Sequence, residues 1–301
     1  MYKFLVISFQ LCLLTLLTNV SFSQEKVYFE TLPVPKGVAA SDDPAISKTP
    51  WYRWTTKNFT VISVDVEQGK YLSENIEAMK SWCFTRWGFF DVDFASEARI
   101  YCVPDAASLK KFFNTDRSKS ERRTNKDGTK VSYLWLILDD KPAAIIPPSL
   151  TLICLKEFEI NKNVKFPWWA YRGMPIVNNT IPNIKKNVMY VEPHLDDSKK
   201  FLTKSIMNMT EAEWLKLTPE MRQLFDSECA VFCLLIRKEY GQKKFHDALT
   251  SSPVELARDV LGFKSYGGFD ETFNRYMGNL ITDIKENRTP PSYLQVVQNE
   301  K

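Results

Sequence analysis

The sequence predicts an α+β fold: a strand-rich first half followed by a mainly helical second half. Three observations carry that expectation. The runs NFTVISVD (58–65), ARIYCV (98–103) and VSYLWLIL (131–138) are β-branched and aromatic, as strands require. Beyond Ser149, helix-start signals accumulate: Thr210 with Glu213, Thr218-Pro219, and Ser252-Pro253 with Glu255. No segment repeats at the spacing of a solenoid. Strands first and helices second is the α+β arrangement.

Taken in order, residues 1–23 have the layout of a secretory leader. Lys3 precedes the apolar run FLVISFQLCLLTLL, and Ser21-Phe22-Ser23 places small residues before Gln24. The run is short for a membrane span, and no later stretch is apolar enough to be one. An exported chain, secreted or periplasmic, is expected. Residues 24–50 are rich in Pro, Ser, Asp and Lys without periodicity and read as a loose extension. A β-rich subdomain is expected over 51–145. Leu72, Ile76, Met79 and Cys83 recur there at helical spacing, predicting a helix that ends near Trp87-Gly88. Asp105 suits the N-cap of a short helix reaching Phe113. The polar run Arg117–Lys130 reads as a solvated loop.

A helical subdomain is expected over 146–288. Ser149 is placed at the start of its first helix, although Leu150–Leu155 also holds enough β-formers for a strand. A second helix opens at Pro167-Trp168-Trp169. The longest begins at Pro219, turns Leu224, Cys229, Phe232, Cys233 and Ile236 inward, and stops at Gly241. A last helix runs from about Gly268 through Ile284, and the tail 289–301 has little to bury.

Composition narrows the function. Hydrophobic residues make up 44% and charged residues 25% of the 301, the balance of an ordinary globular protein. The net charge of +4, from 40 basic and 36 acidic residues, is dispersed, which argues against nucleic acid. Neither a phosphate-cradling Gly-rich loop nor a Gly-x-Ser-x-Gly elbow occurs. Five cysteines follow the leader, an odd number that cannot all pair within one chain. Cys229 and Cys233 read as small core residues, and Cys83 with Cys102 is the bridge singled out for test.

The most informative stretch is Ser149 to Pro175, SLTLICLKEFEINKNVKFPWWAYRGMP. A zincin places two His at i and i+4 on one helix with a Glu beside the first as general base. This chain has only His194 and His246, neither on that helix, and both read as surface residues. The surrounding pattern nonetheless resembles the secreted peptidase-MA-like (gluzincin) family. Trp54–Asp65, the helix through Trp87-Gly88-Phe89, and Ile100–Val103 followed by Phe112-Phe113 are similar to its strand–helix–strand opening. Phe166–Pro175 resembles its second motif, in which Pro-x-Trp opens a helix bearing a Glu-Gly pair. Pro167, Trp169 and Gly173 match, with Arg172 in place of the Glu. Ser227–Phe245, Leu261-Gly262 and Phe269–Met277 are similar to the family's later helices.

The resemblance, over roughly residues 51–288, implies a zincin-like fold in which Lys156, Ile160 and Arg172 stand at the three metal-ligand positions. Glu157 alone keeps its place, as a vestigial base. Protonated Lys and Arg do not ligate zinc. The expectation is therefore a site with no metal and no cofactor, in which Lys156 and Arg172 pair with Glu157 or Glu159, and Trp168 and Trp169 line the cleft. The implied function is that of an inactive peptidase-like protein binding an unidentified protein or peptide. Two alternatives stand beside it: a hydrolase using Glu157 in a non-standard site, and a structural or surface-interaction protein. For the charged residues alone, a solvated helix face is the other reading, with the tryptophans in the core.

Overall fold

The computed structural model describes residues 24–28, 32, 48–124, 128–138, 142–195 and 200–294, with backbone only at 28, 142–145, 291 and 292. The leader expected over 1–23 lies outside the described residues, as do most of the extension and the end of the tail.

Among the described residues six strands form one mixed sheet in the order β1-β2-β3-β4-β6-β5. Strands β1 (Glu25–Tyr28), β2 (Pro50–Thr55) and β3 (Phe59–Ser63) run antiparallel. Helix α1 (Val66–Thr85) then crosses over so that β4 (Glu97–Val103) lies parallel to β3. Asp65 starts α1 by accepting a hydrogen bond from Gln68 N, and Asp105 does the same for α2 (Ala106–Phe113) through Ser108 N. Strand β5 (Lys119–Thr124) forms the edge and pairs antiparallel with β6 (Lys130–Ile137), which sits parallel beside β4.

The second half is helical: α3 (Pro142–Lys162), α4 (Trp168–Val177), α5 (Ile181–Tyr190), α6 (Thr203–Asn208), α7 (Glu211–Lys216) and α8 (Pro219–Glu239). After these come α9 (Gly241–Thr250), α10 (Pro253–Glu255) running into a π turn at Leu256–Val260, α11 (Tyr266–Lys285) and α12 (Pro291–Leu294). Capping boxes close the starts of α7 and α10 as the sequence predicts.

Strand alternation divides the sheet's side chains between two layers. Val61, Ala98, Ile100, Cys102, Leu134 and Leu136 join the apolar layer that α1 and α3 cover. Ile62, Tyr101, Val103, Tyr133 and Trp135 face the other way, with Trp51, Phe112 and Phe113. A third core surrounds α8, which is buried from Leu224 to Arg237 except at Asp226. A helix enclosed on all sides has no solvent face to keep polar. Trp169 packs edge-on against Phe232 with centroids 5.1 Å apart.

Polar side chains lock the two halves together. Trp87 Nε1 donates to Asn178 Oδ1 at 3.0 Å, and Asn178 Nδ2 donates to Thr151 Oγ1 at 2.7 Å. The buried Arg86 guanidinium donates to the Val177 carbonyl at 3.0 Å. Burial pulls its pKa down to about 10.

The α+β class is thus present, with several local corrections. Part of the stretch expected to be loose is strand β1, and the expected polar loop contains β5. Helix α3 begins at Pro142, so Ser149 is internal to it, beyond Pro147 and Pro148. The tail is not idle, because Leu294 is fully buried. The five described cysteines are buried and free, so Cys83 and Cys102 are not bridged. His246 is half-buried rather than a surface residue. It stacks on Phe89 and its Nε2 donates to the Trp87 carbonyl at 2.6 Å.

Candidate functional site

The site is a groove where the edge strand β5 passes the helix pair α3–α4. One cleft of about 420 Å³ is lined by residues of β5, by Lys156 from α3, by Trp168, Tyr171 and Arg172 from α4, and by Trp214. A second cleft, of about 370 Å³, shares Lys156, Trp168, Tyr171 and Glu211 and continues the groove toward Met207 and Leu249. Pro167 is extended and opens α4, which turns Trp168 and Arg172 to the groove while Trp169 enters the core.

Arg172 is the most constrained cation. Its Nε donates to Asp226 Oδ1 at 2.7 Å and its Nη2 donates to Oδ2, a two-point grip on α8. The guanidinium carbon lies 4.1 Å from the Trp214 ring centre and 5.7 Å from that of Trp168. Trp214 Nε1 also donates to Asp226 Oδ1 at 3.0 Å, and Arg222 stacks on Trp214 at 5.0 Å. Burial raises the Asp226 pKa and the Arg172 guanidinium works against that rise.

Lys156 is held differently. Its Nζ lies 3.9 Å from the Tyr171 ring centre and 3.5 Å from Glu159 Oε2. Glu159 Oε1 in turn accepts the Phe166 amide at 2.6 Å, fixing the α3–α4 loop. Burial, then the Glu159 carboxylate, raises the Tyr171 pKa.

Glu157 is placed elsewhere. It is fully buried and lines neither cleft. Its Oε2 accepts the Ala95 and Ser96 amides at 2.9 and 3.3 Å, while Oε1 takes the Ser96 hydroxyl and Arg122 Nη1, the latter at 3.2 Å. Arg122 Nη2 also donates to Ser96 Oγ at 2.9 Å. A carboxylate so fully engaged holds α3 to the loop before β4 and to the sheet edge. Ile160 is 42% exposed and also lies outside both clefts.

Of the residues singled out from sequence, Lys156, Arg172 and Trp168 therefore share the first cleft, and Glu159 joins Lys156 and Trp168 in the second. Of the pairings expected for the cations, Lys156 with Glu159 is present. Arg172 instead takes Asp226, and Glu157 takes Arg122. Sequence reasoning missed Asp226, Trp214, Tyr171 and Arg122. Among the described residues no three His, Cys, Asp or Glu gather as a metal-ligand group.

Fold and groove together define the class: an α+β protein with an aromatic, charged groove beside β5, the edge strand among the described residues. No protein-family model matches the chain, and a search of curated proteins returns no match.

Proposed function

We propose that this chain is an exported, non-catalytic relative of the gluzincin peptidases whose groove binds an extended peptide or protein segment. One observation carries the reading. Arg172, at a position the resemblance gives to a metal ligand, is clamped by Asp226 and packed against Trp214 and Trp168. That arrangement organises a guanidinium where the family organises a metal. The neighbouring β5 supports peptide binding. Among the described residues it pairs only with β6, so its other edge offers backbone donors and acceptors to an added strand. Aromatic faces flank that edge, a common composition for recognition surfaces.

The test combines three measurements on the purified chain: zinc content by elemental analysis, hydrolysis of a labelled casein, and capture of a random-sequence peptide pool. The expected result is no stoichiometric zinc, no hydrolysis, and peptide capture weakened at least tenfold by Arg172→Ala. Stoichiometric zinc together with hydrolysis abolished by Glu157→Gln would overturn the reading in favour of an active enzyme. Capture unaffected by Trp168→Ala and Arg172→Ala would overturn it in favour of a surface-interaction protein.

A further inference from the structure

Cys83 on α1 and Cys154 on α3 lie in the same buried layer between those helices and the sheet. Pro147, Thr151 and Cys154 recur at i, i+4 and i+7 and so share one face of α3. The first two touch Cys83 directly. Cys83 Sγ is 3.7 Å from the Pro147 carbonyl oxygen, and Thr151 Oγ1 donates to Cys83 Sγ at 3.6 Å. Cys154 continues that face by one turn. Its thiol pKa is raised first by burial and then by the adjacent Cys83 thiol. Cys102, the partner expected from sequence, is raised by burial alone.

Both thiols are free in this structure; we propose that on oxidation Cys83 and Cys154 form a disulfide that staples α1 to α3, the helix that brings Lys156 to the groove. The proposal rests on the export reading, because an oxidising compartment supplies the disulfide-bearing oxidant: oxidised glutathione or a dithiol–disulfide oxidoreductase. One cysteine thiolate attacks a sulfur of the oxidant's disulfide, giving a mixed disulfide and releasing the first oxidant thiol. The second cysteine then attacks its partner's sulfur in that mixed disulfide and releases the second oxidant thiol. Two electrons reach the oxidant, and the two protons lost by the cysteines balance the two thiols released. Burial disfavours the Cys154 thiolate in the folded chain, so the exchange belongs to folding, before α1 closes on α3. Once the helices have closed, the same burial shields the bond from reductants.

The purified chain is unfolded under reducing conditions and refolded with reduced and oxidised glutathione. Remaining thiols are alkylated in denaturant and the unreduced peptides are mapped. A chain purified oxidised, without unfolding, is mapped in parallel so that poor refolding does not void the test. The expected result is a linked Cys83–Cys154 peptide, with Cys102, Cys229 and Cys233 alkylated. Reduction should lower the melting temperature by about 5–10 °C in the parent and leave the Cys83→Ser/Cys154→Ser double variant unmoved. Recovery of both Cys83 and Cys154 as alkylated thiols in both preparations overturns the proposal, as does a bridge from either to Cys102. Export is read independently from the N-terminus of protein recovered outside the cytoplasm, so its failure is distinguishable from failure of the pairing.

Discussion

Gly173→Ala is expected to destabilise the protein although alanine is the better helix former. A Cβ on Gly173 would stand 2.3 Å from the Cys229 carbonyl oxygen and 2.6 Å from Cys233 Sγ. Carbon–oxygen contacts settle at about 3.3–3.6 Å, so α4 and α8 would have to separate by roughly the missing ångström. The nearest obstacle is the backbone of a helix buried on all sides, which cannot rotate out of the way. Overpacking of this kind costs about 1–3 kcal/mol, and the rigid obstacle argues for the upper end. The gain in helix propensity returns about 1 kcal/mol, leaving a net loss near ~2 kcal/mol. Gly278 in α11 supplies the control, because nothing lies within 4 Å of its would-be Cβ. There the same substitution should stabilise by about 0.5–1 kcal/mol. Urea unfolding followed by tryptophan fluorescence reads both as opposite shifts of the midpoint at constant slope. A Gly173→Ala protein that unfolds at or above the parent midpoint would refute the close-approach argument. Equal losses at the two sites would show that the effect is not packing against α8.

Glu228 is fully buried and accepts the Phe201 amide, and burial pushes its pKa up to about 8. The folded state then holds a proton that the unfolded chain releases near its ordinary carboxylate value. Stability should be greatest below that value and fall as pH rises to about 8. Glu228→Gln, which imitates the protonated form, should flatten this slope and gain on the order of 4 kcal/mol at pH 9; chemical denaturation at pH 5, 7 and 9 measures it, and an unchanged slope would contradict it. Glu157→Gln is expected to cost about 3 kcal/mol, because Arg122 and the Ser96 donors lose the carboxylate that satisfies them. A denaturation midpoint equal to the parent's would show that Glu157 does not hold the sheet edge. Asp226→Asn should free Arg172 from its two-point grip, weaken peptide capture and cost about 1–3 kcal/mol of stability, because a largely buried guanidinium loses its carboxylate partner; unaltered capture would argue against an organised guanidinium.

Much of the fold was legible because β3, β4 and β6 are buried on both faces. Their runs of Val, Ile, Leu and aromatic residues can serve little else. Side-chain caps were equally readable, since Asp105, Thr210, Thr218 and Ser252 act within three residues of themselves, although the Asp65 cap was taken for the end of a strand. Strand β5 was hidden by its position at the edge. Its KSERRT is half-exposed nearly throughout and shows no apolar alternation. The Asp127-Gly128 pair between it and β6 was the available hairpin signal. Ser149 was read as the start of its helix, whereas α3 begins at Pro142 and runs through Pro147 and Pro148. The site was legible only in part for a related reason. Lys156 and Glu159 are neighbours on one helix, so their pairing follows from spacing. Arg172 meets Asp226 across two helices, and Glu157 meets a strand residue that had been read as loop. Such partners are set by tertiary contact and leave no local mark.

The bonds from Arg86 and Trp87 to the end of α4 have a consequence for the proposed binding groove. Sequence suggests two lobes joined near residue 145, an arrangement that invites bending of one lobe about the other. The two residues that follow α1 are instead fastened to Val177 and Asn178, and Asn178 is fastened to α3. His246 adds α9 to the same knot through the Trp87 carbonyl. Opening the lobes would strip a buried guanidinium of its acceptor in an apolar setting, a loss few ligands can offset. On the peptide-binding function proposed above, the groove is therefore a fixed slot rather than a jaw, and selectivity falls to the shape and charge of the segment beside the sheet edge.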